Sequence, residues 1–319
     1  MSLPALVLTA GLGTRLDPLT RLVAKPAMPL GGRTLIERVL GWLANEHIGQ
    51  VVLNLHHLPE SICGVVGDGA HLGLSVKYSW ESPVLGSAGG PRHALPLLDA
   101  DEFLIVNGDT LCPASLAPIL ATHRATGADV TMAVVPNPDR NHYNGIVAAA
   151  DGCVTSFIPR GHAADSWHFV GIQVVKASVF ASLPDNVPAE TVSGIYRDRV
   201  QRGDGRVFVF PVNAPFFDIG TPRDYITAAD ALVPADECVS PGAEVSSQAR
   251  LTGTLVWPGS TVGAGATLDG CVVAGAGVPP GFRASGALLL PAGAARAGDR
   301  ATVVDGVAVF SVSNQDASG

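Results

Sequence analysis

Up to about residue 230, short apolar runs alternate with longer stretches of helical periodicity, and this alternation leaves few folds open. The runs Ala5 to Thr9, Gln50 to Asn54, Phe103 to Asn107, Val130 to Val135 and Phe169 to Val175 have the length of strands. Between the first two, Leu35, Ile36, Val39, Leu40 and Leu43 recur on one face of a helix that can cover a sheet. Strands alternating with helices bury both faces of a sheet, so the expected class is α/β, Rossmann-like, with a mostly parallel sheet.

After Val233 the texture changes to Gly and Ala with aliphatic residues six apart: Val239, Val245, Leu251, then Val256, Val262, Leu268, then Val272, Val278, Ala284, Leu290. A six-residue period is how a β-helix turns its corners, each inward aliphatic stacking on the coil below. A loose Gly/Ala tail is the competing reading, since the phase slips twice. The expected domains are therefore 1–232 and 233–319, with a frayed polar end from Ser313 to Asp316.

The chain has 319 residues, of which 47% are hydrophobic and 15% charged, with a formal charge of −8. The acidic balance argues against nucleic acid as the main partner, because that role needs a basic stripe. No apolar stretch approaches the ~20 residues that span a bilayer. The start lacks a basic region ahead of its apolar run, and the five cysteines, Cys63, Cys112, Cys153, Cys238 and Cys271, form neither a disulfide framework nor a metal knuckle. A cytoplasmic protein without a membrane partner is expected.

Directly after the first run comes Ala10-Gly11-Leu12-Gly13-Thr14-Arg15-Leu16-Asp17-Pro18-Leu19-Thr20, with Lys25-Pro26 following. A glycine turn between strand and helix lets backbone N–H groups approach phosphate oxygens. It is no P-loop, since no Gly-Lys-Ser/Thr follows, and no dinucleotide fingerprint, since Leu16 stands where a third Gly belongs. Arg15 and Lys25 supply two cations able to neutralise a polyphosphate under attack at phosphorus. Asp109 ends an apolar run and so falls at the C-terminal edge of a strand, where α/β ligand sites form.

Residues 11 to 20 with Lys25-Pro26 resemble the signature of the sugar-phosphate nucleotidylyltransferases, G-x-G-T-R-L-x-P-L-T with a downstream Lys-Pro. Leu85-Gly86-Ser87-Ala88-Gly89 is similar to that family's L-G-T-A-G, Val106-Asn107-Gly108-Asp109 to its metal-binding strand end, and Phe217-Asp218-Ile219-Gly220-Thr221-Pro222 to its D-I-G-T-P. The resemblance implies a nucleotidyltransferase domain followed by a short left-handed β-helix, and a reaction of a nucleoside triphosphate with a sugar 1-phosphate. It further implies Arg15, Lys25 and Asp109 as catalytic residues. Nucleotide contacts are implied at Leu8, Ala10, Gly11, Gly13, Thr14, Arg15, Lys25, Glu81, Gly86, Ser87, Ala88, Gly89 and Asp109. Asn107, Gly145, Arg160 and Gly171 fall on the sugar-phosphate side, and Asp109 and Asp218 would hold Mg²⁺.

There are departures. The family's F-x-E-K-P stands here as Phe157-Ile158-Pro159-Arg160-Gly161, which keeps a cation and loses the Glu, and N-A-G-I stands as a segment from His168 that keeps Gly171-Ile172. Both lie on the sugar side. His56-His57 reads as one packed and one solvated ring rather than a metal pair, and Trp80, Trp167 and Trp257 as core or interface. The nucleobase is open between guanine, uracil and thymine, with a lean to the mannose 1-phosphate guanylyltransferase branch. A non-catalytic regulatory subunit of the same fold is the alternative. Such subunits lose the Arg, the Lys or a metal Asp, all of which this chain keeps. About three coils are too few for an added acyltransferase site. Exposed β-helix ends need cover, so a homodimer is expected.

Overall fold

The computed structural model describes residues 3–312. The expected polar end from Ser313 lies outside them. The described residues form two compact units, 3–11, Val39–Pro59 and Val66–Phe216 in one, Leu12–Arg38, Glu60–Val65 and 217–312 in the other. Residues 12–38 go with the C-terminal part because Tyr225 donates its hydroxyl to the Pro29 carbonyl, Trp257 Nε1 donates to Tyr225 Oη at 3.0 Å, and Val233 lies against Gly31.

The first unit is built on a nine-stranded sheet of β1 Ala5–Leu8, β2 Gln50–Leu55, β3 Ser75–Trp80, β4 Glu102–Asn107, β5 Val130–Pro136, β6 Gly145–Ala148, β7 Val154–Ile158, β8 Trp167–Lys176 and β9 Val207–Pro211. The order is β7-β6-β8-β4-β1-β2-β3, with β5 pairing β8 and β9. Strands β4, β1, β2 and β3 run parallel, as expected. The strand from Phe169 departs from that pattern, since β8 runs antiparallel to both β4 and β5. It returns through the β6–β7 hairpin instead of a helical crossover, and its register with β5 breaks between Phe169 and Gln173, around Gly171. Leu6, Val52, Phe103, Ile105, Met132, Val175 and Tyr196 pack into one core, the Tyr196 hydroxyl satisfied by Gln173 Oε1 at 2.8 Å.

Helix α1, Leu35–Asn45, buries the predicted Leu35, Ile36, Val39, Leu40 and Leu43. Its start is fixed by a reciprocal pair: Thr34 N–H donates to Glu37 Oε2 at 2.7 Å, and Glu37 N–H to Thr34 Oγ1 at 3.3 Å. The stretch before it forms short helical turns and the small hairpin Pro29–Leu30 with Arg33–Thr34, so the link from β1 to β2 is longer and less regular than one helix.

In the second unit, three parallel ladders stack the segments 244–245, 261–262 and 277–278, then 250–252, 267–269 and 283–285, then 255–256, 272–273 and 287–291. Glu244 pairs with Thr261 and Thr261 with Gly277, steps of 17 and 16 residues, so one or two corners per coil span five residues, not six. That shortening accounts for the slips in phase. It also corrects the inward column: Val273 and Leu289 join the expected Val256 in this core cluster, while Val272 and Leu290, themselves buried, lie outside it. The antiparallel pair Ala301–Val304 and Val307–Ser311 extends the third ladder beyond its last parallel rung.

Candidate active site

Strands β1, β2 and β4 end in register, Leu8 pairing with both Asn54 and Asn107. One residue on, Thr9 N–H donates to Asn54 Oδ1 at 2.6 Å, and the Thr9 hydroxyl donates to the Asn54 carbonyl. Asn54 Nδ2 then donates to Glu81 Oε1 at 2.7 Å, while Glu81 Oε2 accepts the Leu85 N–H at 2.8 Å. Glu81 is only 4% exposed, and this chain of bonds supplies the partners its buried oxygens require. The side chain therefore ties two strand ends to the segment that opens α2, Gly86–Leu98. Thr9 carried no motif that would have marked it. Gly90 is required here, since a Cβ would lie 2.6 Å from Glu81 Oε1.

At the end of β4, Gly108 N–H donates to the Leu8 carbonyl at 3.0 Å, and a Cβ on Gly108 would lie 2.7 Å from that same oxygen. This close approach fixes where Asp109 leaves the sheet; Thr110 Oγ1 donates to Asp109 Oδ1 at 3.3 Å. Gly171, at φ +78°, would place a Cβ 2.9 Å from the Asn107 side chain, so two of the predicted sugar-side residues touch. Gly145 pairs with Ile158 across the β6–β7 hairpin, and exposed Arg160 follows, its N–H held by Asn144 Oδ1 at 3.0 Å. Beside Gly145, Tyr143 packs on His168 with ring centroids 4.1 Å apart, and Phe216 lies 5.0 Å from the same ring. Burial, aided by nearby His142, pushes His168 down to about 4, so the ring is neutral at neutral pH.

The segment 85–89 is drawn against residues 187–191, which sequence reasoning missed. Ala88 and Gly89 both donate their N–H to the Ala189 carbonyl, at 2.8 and 3.2 Å. Ser87 Oγ donates to Glu190 and accepts the Thr191 N–H at 2.9 Å. A Cβ on Gly86 would lie 2.7 Å from the Ala189 carbonyl, and one on Gly89 2.6 Å from the Val187 carbonyl. Both glycines make room for backbone. His56 Nδ1 lies 2.9 Å from the Glu81 carbonyl, in keeping with a packed ring.

Past β1, buried Ala10 leads into Gly11, where an added Cβ would meet nothing within 4 Å, and Leu12 is 47% exposed. The backbone is open to approach at this point. In the second unit, Gly13 sits at φ 63° and caps the turn Thr14–Leu16. A Cβ there would lie 2.8 Å from Thr20 Cγ2 and 3.2 Å from Lys25 Cβ, so glycine is needed both for the turn and for the packing of the buried Lys25 stem. Exposed Arg15 lays its guanidinium over Gly220, whose Cβ would be 3.1 Å from both terminal nitrogens. Gly220 stands inside the D-I-G-T-P segment without having been singled out. Half-buried Asp218 precedes Thr221, which with Asp224 caps α3, Pro222–Leu232.

These features define an α/β protein whose sheet ends in polar side chains beside a glycine-opened backbone, with Arg15, Lys25 and Asp218 carried on the companion unit. The family model described as "Nucleotidyl transferase" matches residues 4–233. The chain is 30% identical over 283 residues to the mannose-1-phosphate guanylyltransferase of Mycobacterium tuberculosis, covering 84% of this chain and 79% of that one. It is 28% identical over 230 residues to the D-glycero-alpha-D-manno-heptose 1-phosphate guanylyltransferase of Aneurinibacillus thermoaerophilus, covering 72% and 97%. The crystal structure of HddC from Yersinia pseudotuberculosis complexed with GMP-PN superposes with a TM-score of 0.62 at 22% identity, over 72% of this chain and 99% of that one, a likeness of fold. The chain belongs to the nucleotidyl transferase family, and within it to the sugar-1-phosphate nucleotidyltransferases.

Proposed function

We propose that the protein makes a guanosine diphosphate sugar and pyrophosphate from GTP and mannose 1-phosphate. The relative from Mycobacterium tuberculosis, similar over 84% of the chain, supports that choice of substrates. The observation that carries the phosphate side is the open backbone at Gly11 running into the left-handed Gly13 turn, with exposed Arg15 on it. In this reading an oxygen of the sugar phosphate attacks the α-phosphorus, a new P–O bond forms, and the bond to the departing pyrophosphate breaks. The nucleophile is ionised at neutral pH and needs no general base, so rate comes from positioning and charge. The backbone from Leu8 to Thr14 cradles the phosphates, Arg15 holds the leaving pair and Lys25 the α-phosphate. Glu81 positions the segment from Gly86 to Gly89 beside the base. Asn107, Gly145, Arg160 and Gly171 take the sugar phosphate.

The donor chemistry fits Mg²⁺. Asp109 and Asp218 offer hard oxygen donors, and a hard cation shared with phosphate needs only one or two carboxylates. Among the described residues no group of three or more His, Cys, Asp or Glu gathers as a cage. When bound, it would neutralise charge on the phosphates.

The same reading takes residues 1–232 as the transferase domain and the three C-terminal ladders as a left-handed β-helix of hexapeptide type, and expects a homodimer acting in the cytoplasm. None of the described helices is long and apolar enough to cross a membrane, and the five cysteines form no disulfide. The test is pyrophosphate release with Mg²⁺ across GTP, UTP, dTTP and ATP, each with mannose, glucose and heptose 1-phosphates. GTP with mannose 1-phosphate should exceed every other pair by about tenfold or more. A different preferred pair would overturn the substrate choice, and the absence of turnover with bound nucleotide would favour a regulatory subunit.

A further inference from the structure

Arg21 follows the glycine signature directly, and it is bonded to the far end of the second unit. A guanidinium has five N–H groups, and all five find acceptors here. Nε donates to Asp17 Oδ1 at 2.7 Å and one Nη donates to Asp17 Oδ2. The same Nη donates to Asp299 Oδ1 at 2.9 Å, while the other donates to Asp299 Oδ2 at 2.6 Å and to the Ala294 carbonyl at 2.9 Å. The guanidinium carbon lies over the buried Phe310 ring, 5.9 Å from its centroid. Asp299 is itself set by a turn, its second oxygen accepting the Arg296 N–H at 2.7 Å.

On the other side, Asp17 and Arg21 belong to one small knot of chain. Leu16 N–H and Thr20 Oγ1 both donate to the Gly13 carbonyl, at 2.9 and 3.1 Å, Arg21 N–H donates to the Pro18 carbonyl at 3.1 Å, and Leu16, Leu19 and Thr20 are buried. The front of this knot is the Gly13–Arg15 turn. Its back is fastened to residues 294–299 through Arg21. The pairing is strong: hydrogen bonds from Arg21 and from the Arg296 backbone hold the Asp299 carboxyl at about 2, and the two aspartates raise Arg21 above its ordinary range.

We infer that Asp299, together with Arg21, is a positioning residue for the triphosphate, and that the segment following the last coil completes the phosphate turn of the transferase. The C-terminal part is then a working piece of the nucleotide site, beyond any role as a cap. The inference rests on the nucleotidyl-transfer reading above and adds to it a specific dependence on residues 294–299.

The test is the Asp299→Ala variant of the full chain, with KM for the triphosphate, KM for the sugar 1-phosphate, kcat and the melting temperature measured beside wild type. Loss of two charge-assisted bonds that order the turn should raise KM for the triphosphate about tenfold and leave KM for the sugar phosphate within about twofold. Asp299→Asn, which keeps one acceptor, should recover part of the loss. If Asp299→Ala does not fold, Asp299→Asn carries the comparison. Equal rises in both KM values, or a lowered melting temperature with unchanged KM values, would reduce the ion pair to a structural brace and overturn the inference. Wild type without turnover would refute the functional reading instead, a separate outcome.

Discussion

Asp109→Asn is expected to lower kcat by about a thousandfold or more while the protein stays folded. Asparagine keeps the shape and keeps an oxygen for the Thr110 hydroxyl, so the close packing of Gly108 on Leu8 is undisturbed. Only the negative charge is removed, and with it the hard donor that Mg²⁺ would use. The check is kcat at saturating substrates together with the thermal midpoint. A kcat within threefold of wild type would remove Asp109 from the proposed metal site.

Glu81→Leu is expected to have the largest effect on stability. It strands the Asn54 amide and the Leu85 N–H in a buried setting, at about 1–3 kcal/mol for each unpaired group, or roughly 2–6 kcal/mol together. Glu81→Gln should cost less, since it keeps an acceptor for Leu85, yet Asn54 cannot turn its amide to suit the glutamine without losing the Thr9 N–H. Urea unfolding of both variants decides it. A leucine variant within about 0.5 kcal/mol of wild type would mean that these buried bonds contribute little.

The unequal legibility of this molecule has physical causes. The strands at Ala5, Gln50, Phe103 and Val130 announced themselves because each is buried on both faces and so reads as an apolar run. The edge strand β3, polar on alternate positions, and the β6–β7 hairpin, whose apolar stretches are only four residues or fewer, carried no such signal. The direction of β8 was not legible either, since an apolar run does not say which way it pairs. In the C-terminal ladders the six-residue period was visible, but corners of five residues put Val273 and Leu289 inward where Val272 and Leu290 were expected. At the candidate site, glycines followed by cations read clearly, because a missing Cβ beside a charge is a local pattern. The partners of Glu81, Ser87 and Arg21 did not read, because they lie 27, 103 and 278 residues away and are joined only by the fold.

The central claim is that a sugar phosphate oxygen displaces pyrophosphate from the α-phosphorus. The most direct measurement uses mannose 1-phosphate carrying oxygen-18 on its phosphate, with GTP and Mg²⁺, followed by phosphorus NMR of the products. Equimolar nucleotide sugar and pyrophosphate should form, with all label in the sugar-linked diphosphate of the nucleotide sugar and none in the pyrophosphate. Label in the pyrophosphate, or pyrophosphate released with free GMP and no nucleotide sugar, would contradict the claim.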